Sequence, residues 1–205
     1  MLFNRSLETN IVPKTNTPKV PAEFRPISLT SILSRTSEIL IIRKYIYAAI
    51  ESAEAYCDQF AFRPSGGTTA AIIAITSKIQ KILETQNYAR VIAFDFSKAF
   101  DTVKHSSVLQ RFEELQLPDQ IYNWLVNFFS NYIHQTKFNG NISKAASINA
   151  SVIQGSAIGP IAFTAIASSL KTVEEENYMI KYADDTYLII AENKINSTSA
   201  KIKKT

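Results

Sequence analysis

Apolar residues recur at helical spacing in four parts of the chain, where they are separated by polar residues that would face solvent. The first such part is rich in isoleucine and leucine, and the second follows an SGGTT turn. A spacing of three or four residues between apolar positions is typical of an amphipathic helix. The pattern therefore predicts helices over residues 31–52, 69–85 and 106–115, and a fourth after Pro118 that buries Ile121, Leu125, Phe128 and Tyr132.

Short runs of strand-forming residues lie between and after these helices. VIAFDF, at residues 91–96, is almost wholly apolar and predicts a buried strand. The adjacent Asn139 and Gly140 predict a tight hairpin turn. YMIKYADDTYLIIAE, at residues 178–192, predicts two strands with Ala183, Asp184 and Asp185 at or near the turn between them.

The segments near the two ends are the least regular parts of the sequence. Residues 1–24 contain three prolines, so we expect an extended or loop-rich entry without a regular element. VIQGSAIGP leads into an apolar stretch that ends near Leu170, and the last residues, KINSTSAKIKKT, are polar. The pattern alone predicts a mixed α/β protein.

Composition and charge limit the function classes. A chain of 205 residues that is 46% hydrophobic can bury a core, and its net charge of +4 permits a nucleic-acid partner without proving one. One cysteine, Cys57, excludes an internal disulfide and a cysteine-based metal cluster. The sequence shows neither a signal peptide nor an apolar run of the roughly 18 residues that a membrane span needs. We therefore expect an intracellular protein that is not in a membrane.

Carboxylates in apolar surroundings are the candidate chemistry. Asp184 and Asp185 stand side by side in an otherwise apolar hairpin, and Asp95 comes at the end of a predicted strand. Aspartate is common in turns and at helix caps, so each residue alone is also explained by local structure. Together, three carboxylates from distant parts of the chain would suit two Mg²⁺ ions held ~3.5 to 4 Å apart for phosphoryl transfer.

Five motifs in order make the chain resemble reverse transcriptases, most closely those of non-LTR (LINE-type) retrotransposons. The resemblance covers roughly residues 11–191. Its motifs are FRPISL at 24–29, QFAFRPSGGTT at 59–69, FDFSKAFDTVKH at 94–105, QGSAIGP at 154–160 and YADD at 182–185.

This resemblance implies an α+β fold of the right-hand polymerase kind, in which fingers and a palm have an antiparallel palm sheet packed on helices. It divides the chain into an N-terminal extension (1–10), fingers and palm (11–191) and a polar end (192–205) that stops before the family's thumb. The implied activity is RNA-directed DNA polymerisation, in which a dNTP is joined to a DNA primer on an RNA template. Without a thumb, we expect residues 1–205 to extend primers poorly or not at all.

The resemblance also implies roles for individual residues. Asp95, Asp184 and Asp185 would be the catalytic carboxylates and the ligands of Mg²⁺, with Mn²⁺ as an alternative. The nucleotide-binding residues would be Arg25, Phe100 as a steric gate against the 2′-hydroxyl, Gln154 and Gly155. Template or primer contacts would come from Arg63 and Tyr182. A lysine that partners Arg25 would be Lys14 or Lys19, and the sequence does not choose between them.

Other interpretations remain open beside these roles. Phe100 could be a core residue, Arg63 a surface ion-pair residue, and Gln154 and Gly155 a plain loop before a helix; His105 is expected to order a helix start, and Lys98 to be structural or solvated. Ala61 stands where the family usually has glycine. The chain as a whole could be a catalytically inactive remnant that retains nucleic-acid or metal binding. A nucleotidyl cyclase, which uses a similar palm, is disfavoured by FRPISL and QGSAIGP.

Overall fold

The protein forms two compact units, each with its own β-sheet. The computed structural model describes residues 6–53, 56–96, 99–130 and 132–192. Unit 1 comprises residues 1–49 and 100–163, and unit 2 comprises residues 50–99 and 164–205. Lys98 and the polar end from residue 193 onward lie outside the described residues.

Unit 1 contains a five-stranded sheet. Its strands are β1 (Ser6–Pro13), β2 (Phe24–Ser28), β4 (Tyr132–Phe138), β5 (Asn141–Ile142) and β6 (Ala146–Ile148). They lie in the order β2-β1-β4-β5, and β6 also pairs with β4. Strand β1 is antiparallel to β2 and parallel to β4. The Asn139–Gly140 turn joins β4 to β5 with positive φ at both residues, which confirms the predicted tight hairpin.

The N-terminal segment differs from the prediction. We expected no regular element before residue 24, but β1 runs from Ser6 to Pro13. It pairs with a neighbouring strand on each side, so pairing with distant residues stabilises a segment whose local composition favours a loop. The strand also crosses the expected boundary between an N-terminal extension and the fingers.

The helices follow the predicted pattern closely. A long helical segment consists of α1 (Ile32–Ile41), a π-helical turn (Ile42–Ile46) and α2 (Tyr47–Ser52), and the later helices are α4 (His105–Glu113) and α5 (Asp119–Phe129). One detail was wrong: Tyr132 does not belong to α5. The backbone becomes extended at Ser130, and Tyr132 begins β4, where it is buried opposite Ile148.

Unit 2 contains a three-stranded antiparallel sheet beside one long helix. The elements are α3 (Thr68–Leu83), β3 (Tyr88–Asp95), β7 (Tyr178–Tyr182) and β8 (Asp185–Glu192), with the strands in the order β3-β8-β7. Ala71 and Ile82 of α3 pack with Ile180 and Ile189 on one face of the sheet. The other face carries a second cluster, formed by Met179, Leu188 and Ile190.

Strand β3 was predicted to be buried, and this prediction is wrong. Within the described residues β3 pairs with β8 alone and forms an edge of the sheet. All of its residues are exposed or half-buried, and Val91 is 42% exposed. An apolar run of this length does not distinguish a central strand from an edge strand, because both contain strand-forming residues.

The end of QGSAIGP and the apolar stretch that follows it form α6 (Ile158–Ala167). Most of its residues are buried, among them Ile161, Ala162 and Ala165. In the described part of the chain, no helix combines the length and the apolar character needed to cross a membrane.

Candidate active site

Two of the three predicted catalytic carboxylates face each other across neighbouring strands of unit 2. Asp95 is the last residue of β3, and Asp185 is the first residue of β8. The antiparallel register pairs these two residues directly. Residues directly opposite in such a ladder have Cα atoms about 4.5 to 5.5 Å apart and side chains on the same face. Residues 90 positions apart in the sequence are thereby neighbours.

The third carboxylate lies in the turn between β7 and β8. Tyr182 pairs with Asp185, which leaves Ala183 and Asp184 as a two-residue connection. Ala183 has a φ of 54°, an uncommon conformation for a residue with a side chain. Asp184 is half-buried, while Asp95 and Asp185 are exposed. The turn therefore holds Asp184 next to the facing pair, in a strained local backbone.

The carboxylates lack a neutralising partner within the described ranges. No described lysine, arginine or histidine forms an ion pair with Asp95, Asp184 or Asp185, so their negative charges are uncompensated there. The described residues also contain no ready-made cluster of three metal-binding side chains. Mg²⁺ does not require one, since it usually binds one or two carboxylates and completes its coordination with water and substrate phosphates. A facing, exposed carboxylate pair beside a third carboxylate fits that ion.

Tyr182 lies at the same end of the sheet as the carboxylates. It is half-buried and packs beside the cluster that joins α3 to β7 and β8. Its backbone pairs with Asp185. The position supports the hairpin and leaves part of the ring accessible.

Sequence reasoning missed a buried polar group that contacts the turn. Gln59 is 2% exposed, and its side-chain oxygen accepts hydrogen bonds from the N–H groups of Ala61 and Ala183, at 2.9 and 3.2 Å. Beside it, Lys181 is fully buried and donates to Asp58 at 2.9 Å. Burial lowers the pKa of Lys181, and the negative charge of Asp58 opposes that shift. The sequence contains Gln59 within QFAFRP, but no pattern of neighbouring residues indicates that its side chain contacts residue 183.

In unit 1, the predicted nucleotide-binding turn is tightly constrained. Gly155 has a φ of 119°, and a Cβ at this position would lie 2.4 Å from the carbonyl oxygen of Ser28. The carbonyl oxygen of Gln154 accepts a hydrogen bond from the Ser28 N–H at 2.8 Å, and the Gln154 side chain donates to Asp101 at 3.3 Å. Only glycine suits position 155, because both the dihedral angle and the close backbone approach exclude a side chain.

A buried carboxylate holds the segment after this turn, and the sequence analysis also missed it. Glu38 of α1 is 1% exposed. It accepts hydrogen bonds from the Ser156 hydroxyl at 2.6 Å and the Ala157 N–H at 2.7 Å. The sequence carries a signal, since Glu38 lies on one helical stripe with the buried Ile42 and Ile46. A charge on an apolar stripe indicates a buried partner.

The other residues predicted to bind the nucleotide lie in unit 1. Phe100 is half-buried, and its ring lies 4.7 Å from that of Phe163, so it has a packing role in unit 1. Arg25 is exposed on β2, opposite Val12 of β1. Lys14 and Lys19 are both exposed, so the choice between them stays open.

Two basic residues have structural partners. The Arg63 guanidinium donates to the backbone carbonyls of Tyr56 and Gln59 at 3.2 and 3.3 Å, which orders its own loop in place of the surface ion pair considered from the sequence. His105 is buried at the first residue of α4. Its ring nitrogens face the carbonyl oxygens of Phe129 and Ser151 at 3.2 and 2.9 Å, as suits a residue that orders the helix start.

The sequence is similar to known polymerases along nearly its whole length. A family model described as reverse transcriptase (RNA-dependent DNA polymerase) matches residues 12–204. The RNA-directed DNA polymerase from mobile element jockey of Drosophila melanogaster is 27% identical over 224 residues, which cover 100% of this chain and 24% of that protein. The Pol polyprotein from the type-1 retrotransposable element R2 of Popillia japonica is 26% identical, over 90% of this chain and 27% of that protein. The chain therefore spans about a quarter of the length of these relatives.

Solved structures with a similar fold include telomerases. The telomerase of Candida albicans, solved with a TWJ fragment of telomeric RNA, has a TM-score of 0.68 at 12% identity, over 98% of this chain and 40% of that one. Apo telomerase of Candida tropicalis, truncated from its C-terminal domain, has a TM-score of 0.64 at 14% identity, over 98% of this chain and 46% of that one. This likeness confirms the α+β polymerase fold that the motifs implied.

Proposed function

Because the chain belongs to the reverse transcriptase (RNA-dependent DNA polymerase) family, we propose that it forms the catalytic part of an RNA-directed DNA polymerase. In this proposal it transfers a nucleotide from a dNTP to the 3′-hydroxyl of a DNA primer paired with an RNA template. The single observation that carries the proposal is the direct pairing of Asp95 with Asp185, with Asp184 in the adjoining turn.

The three carboxylates are the proposed metal ligands. Asp95 and Asp184 would hold both divalent ions, and Asp185 would lie nearest the primer end. Bound Mg²⁺, or Mn²⁺ in its place, would activate the primer hydroxyl and neutralise the leaving pyrophosphate. The protein's contribution is to fix the three carboxylates at one end of a sheet, with Asp95 and Asp185 exposed, since phosphoryl transfer depends mainly on position and electrostatics.

Residues of unit 1 are proposed to bind the nucleotide. Arg25 is exposed, and its permanently charged, planar guanidinium group suits the binding of a triphosphate. Gly155 brings bare backbone to the surface, which allows close approach of a base pair, and Gln154 is ordered beside it by Asp101. Phe100 is proposed as the gate that excludes a 2′-hydroxyl. Its packing on Phe163 would keep the ring in one orientation.

Template and primer contacts are proposed for Arg63 and Tyr182. The Arg63 guanidinium has five N–H donors, and its two described hydrogen bonds both come from one nitrogen, so donors remain for a phosphate. Tyr182 offers a partly accessible ring next to the carboxylates. Phosphate contacts of this kind are independent of sequence and weaken with salt.

A primer-extension assay tests the proposal. The 205-residue chain is incubated at low salt with poly(rA), oligo(dT), dTTP and Mg²⁺ or Mn²⁺. We expect slow incorporation that Asp184→Asn reduces on the order of a hundredfold or more, because the carboxylate charge is needed for metal binding. Glu175→Gln removes an exposed carboxylate elsewhere in unit 2 and should leave the rate unchanged.

The outcomes separate the polymerase from the inactive remnant. Incorporation that survives Asp184→Asn would refute the assignment of the carboxylates. No incorporation, together with Mn²⁺ binding that depends on Asp184, would support a remnant that retains the metal site. A chain that neither incorporates dTTP nor binds Mn²⁺ or the poly(rA)–oligo(dT) duplex would overturn both the polymerase and the remnant hypotheses.

A further inference from the structure

A short segment, residues 58–61, runs along β7 in unit 2 and is bonded to it through the backbone. The Lys181 N–H donates to the carbonyl of Asp58 at 2.8 Å, and the Phe60 N–H donates to the carbonyl of Lys181 at 2.9 Å. These bonds form a parallel bridge between Gln59 and Lys181. The 58–61 segment is therefore fixed beside the strand that leads to Ala183 and Asp184.

A buried ion pair anchors the same segment. Lys181 is 0% exposed, and its ammonium group donates to the Asp58 carboxylate at 2.9 Å and to the carbonyl of Leu170 at 2.6 Å. A fully buried charged group has no alternative partner in water, so this contact resists local motion. The backbone at Gln59 is thus held rigidly relative to β7.

The Gln59 side chain extends from this fixed backbone to the turn. Its Oε1 atom accepts the N–H of Ala61 at 2.9 Å and the N–H of Ala183 at 3.2 Å. Because both partners are donors, the oxygen must face them, which settles the orientation of the amide. Ala183 is the residue with a φ of 54°, immediately before Asp184.

We infer that Gln59 is a positioning residue for the carboxylate hairpin. By accepting the Ala183 N–H, it stabilises a backbone conformation that alanine rarely adopts, and so sets where the next two residues, Asp184 and Asp185, present their carboxylates. This role rests on the proposed function, in which those carboxylates bind divalent ions. Gln59 itself touches neither metal nor substrate.

The test uses two variants of Gln59 in the 205-residue chain. Gln59→Met keeps the length of the side chain and removes the acceptor. Gln59→Glu keeps oxygen acceptors, and the lost Nε2 has no hydrogen-bond partner among the described residues. The control is Gln86→Met, since Gln86 lies beyond the opposite end of the same sheet and its Oε1 also lacks a described partner.

Two quantities are measured in each folded variant: hydrogen exchange of the Ala183 amide by NMR, and Mn²⁺ affinity by electron paramagnetic resonance. In Gln59→Met we expect the Ala183 amide to exchange on the order of tenfold faster, since one hydrogen bond is lost. We expect Mn²⁺ affinity to fall on the order of tenfold, as when a group that orients a metal ligand is removed. Gln59→Glu should restore slow exchange, and Gln86→Met should change neither quantity.

The possible failures are distinguishable. Unchanged exchange and unchanged Mn²⁺ affinity in Gln59→Met would overturn the inference. A wild-type chain that does not bind Mn²⁺ would overturn the proposed metal site, and the exchange of Ala183 would then decide the role of Gln59 alone. If Gln59→Met does not fold, the test is made on the wild-type chain. An Ala183 amide that exchanges as fast as an unprotected peptide amide would refute the hydrogen bond to Gln59.

Discussion

Two polar turns, one in each unit, are kept in uncommon backbone conformations by different means. In unit 1, Gly155 has a φ of 119° and the chain after it is held by the Glu38 carboxylate. In unit 2, Ala183 has a φ of 54° and is held by the Gln59 carboxamide. Glu38 and Gln59, which we call the holding residues, each lie more than 100 positions in the sequence from the turn that they stabilise.

The two turns differ in the chemical group that each one exposes. At Gly155 the backbone itself is exposed and approaches Ser28 closely, so the turn requires the absence of a side chain. At Ala183 the next two residues are the proposed metal ligands Asp184 and Asp185, and a neutral amide holds the turn without adding charge beside them. A carboxylate in place of Gln59 would add a fourth negative charge near Asp184 and Asp185. In unit 1 Glu38 accepts hydrogen bonds from uncharged hydroxyl and N–H donors, so an acidic holding residue is acceptable there.

The largest expected effect is the substitution Gly155→Ala. The new Cβ would meet the backbone oxygen of Ser28 at 2.4 Å and would force alanine to a φ of 119°. Strain and overpacking together should lower the free energy of unfolding by about 4 kcal/mol, measured by urea denaturation.

Gly140→Ala is the matched control for this prediction. Gly140 also has a positive φ, of 78°, but a Cβ there would meet no atom within 4 Å. It should cost only about 1 kcal/mol, which isolates the conformational part of the effect. Equal losses in the two variants would show that the contact with Ser28 does not constrain the Gly155 turn.

Breaking the buried ion pair behind the other turn should have the next largest effect. Asp58→Asn removes the charge that faces the fully buried Lys181 ammonium. Loss of one partner of a buried pair should lower the free energy of unfolding by about 3 kcal/mol at pH 7. In the double variant Asp58→Asn/Lys181→Met no buried unpaired charge remains, since Lys171, the other ion-pair partner of Asp58, is exposed to solvent; most of this stability should therefore return. A double variant as unstable as Asp58→Asn would contradict the explanation.

The pH dependence of this effect has a definite sign. Burial lowers the pKa of Lys181 from its usual 10.5, and Asp58 opposes the shift, so Asp58→Asn should lower that pKa further. Between the lowered pKa and 10.5 the unfolded chain binds a proton that the folded chain does not, so the free energy of unfolding rises with pH there. The loss caused by Asp58→Asn should therefore shrink as the pH approaches 10.5. A loss that is constant from pH 7 upward would exclude Lys181 as its source.

Local signals in the sequence were sufficient for several elements. The Asn139–Gly140 hairpin and the hairpin with Asp184 were predicted because turn residues and strand formers are adjacent in the chain. The helices were predicted because their apolar spacing is local as well. The motifs added the polymerase fold, which periodicity alone could not identify.

Contacts between distant residues account for what was not predicted. β1 depends on pairing with β2 and β4, and the exposure of β3 depends on its position at a sheet edge. The hydrogen bonds of Gln59 and Glu38 likewise join residues that no local pattern relates. Their polar side chains would each be expected at the surface until a buried partner is known.

The smallest expected effect tests the charge of the holding residue in unit 1. Glu38→Gln keeps an oxygen that can accept from Ser156 and Ala157 but removes the negative charge, so the hydrogen bonds weaken without disappearing. We expect the free energy of unfolding to fall by about 1.5 kcal/mol in urea denaturation, and not to change for Glu113→Gln, since Glu113 is an exposed residue of α4.

The same substitution should change the pKa of Tyr132. Burial raises the pKa of the Tyr132 hydroxyl, and the charge of Glu38 raises it further. Glu38→Gln should therefore lower that pKa while leaving it above its usual value of 10.0. The Ala183 turn in unit 2 is already held by a carboxamide. If Glu38→Gln lost no stability, a carboxamide would hold the unit 1 turn equally well. The contrast between the two turns would then rest on Gly155 alone.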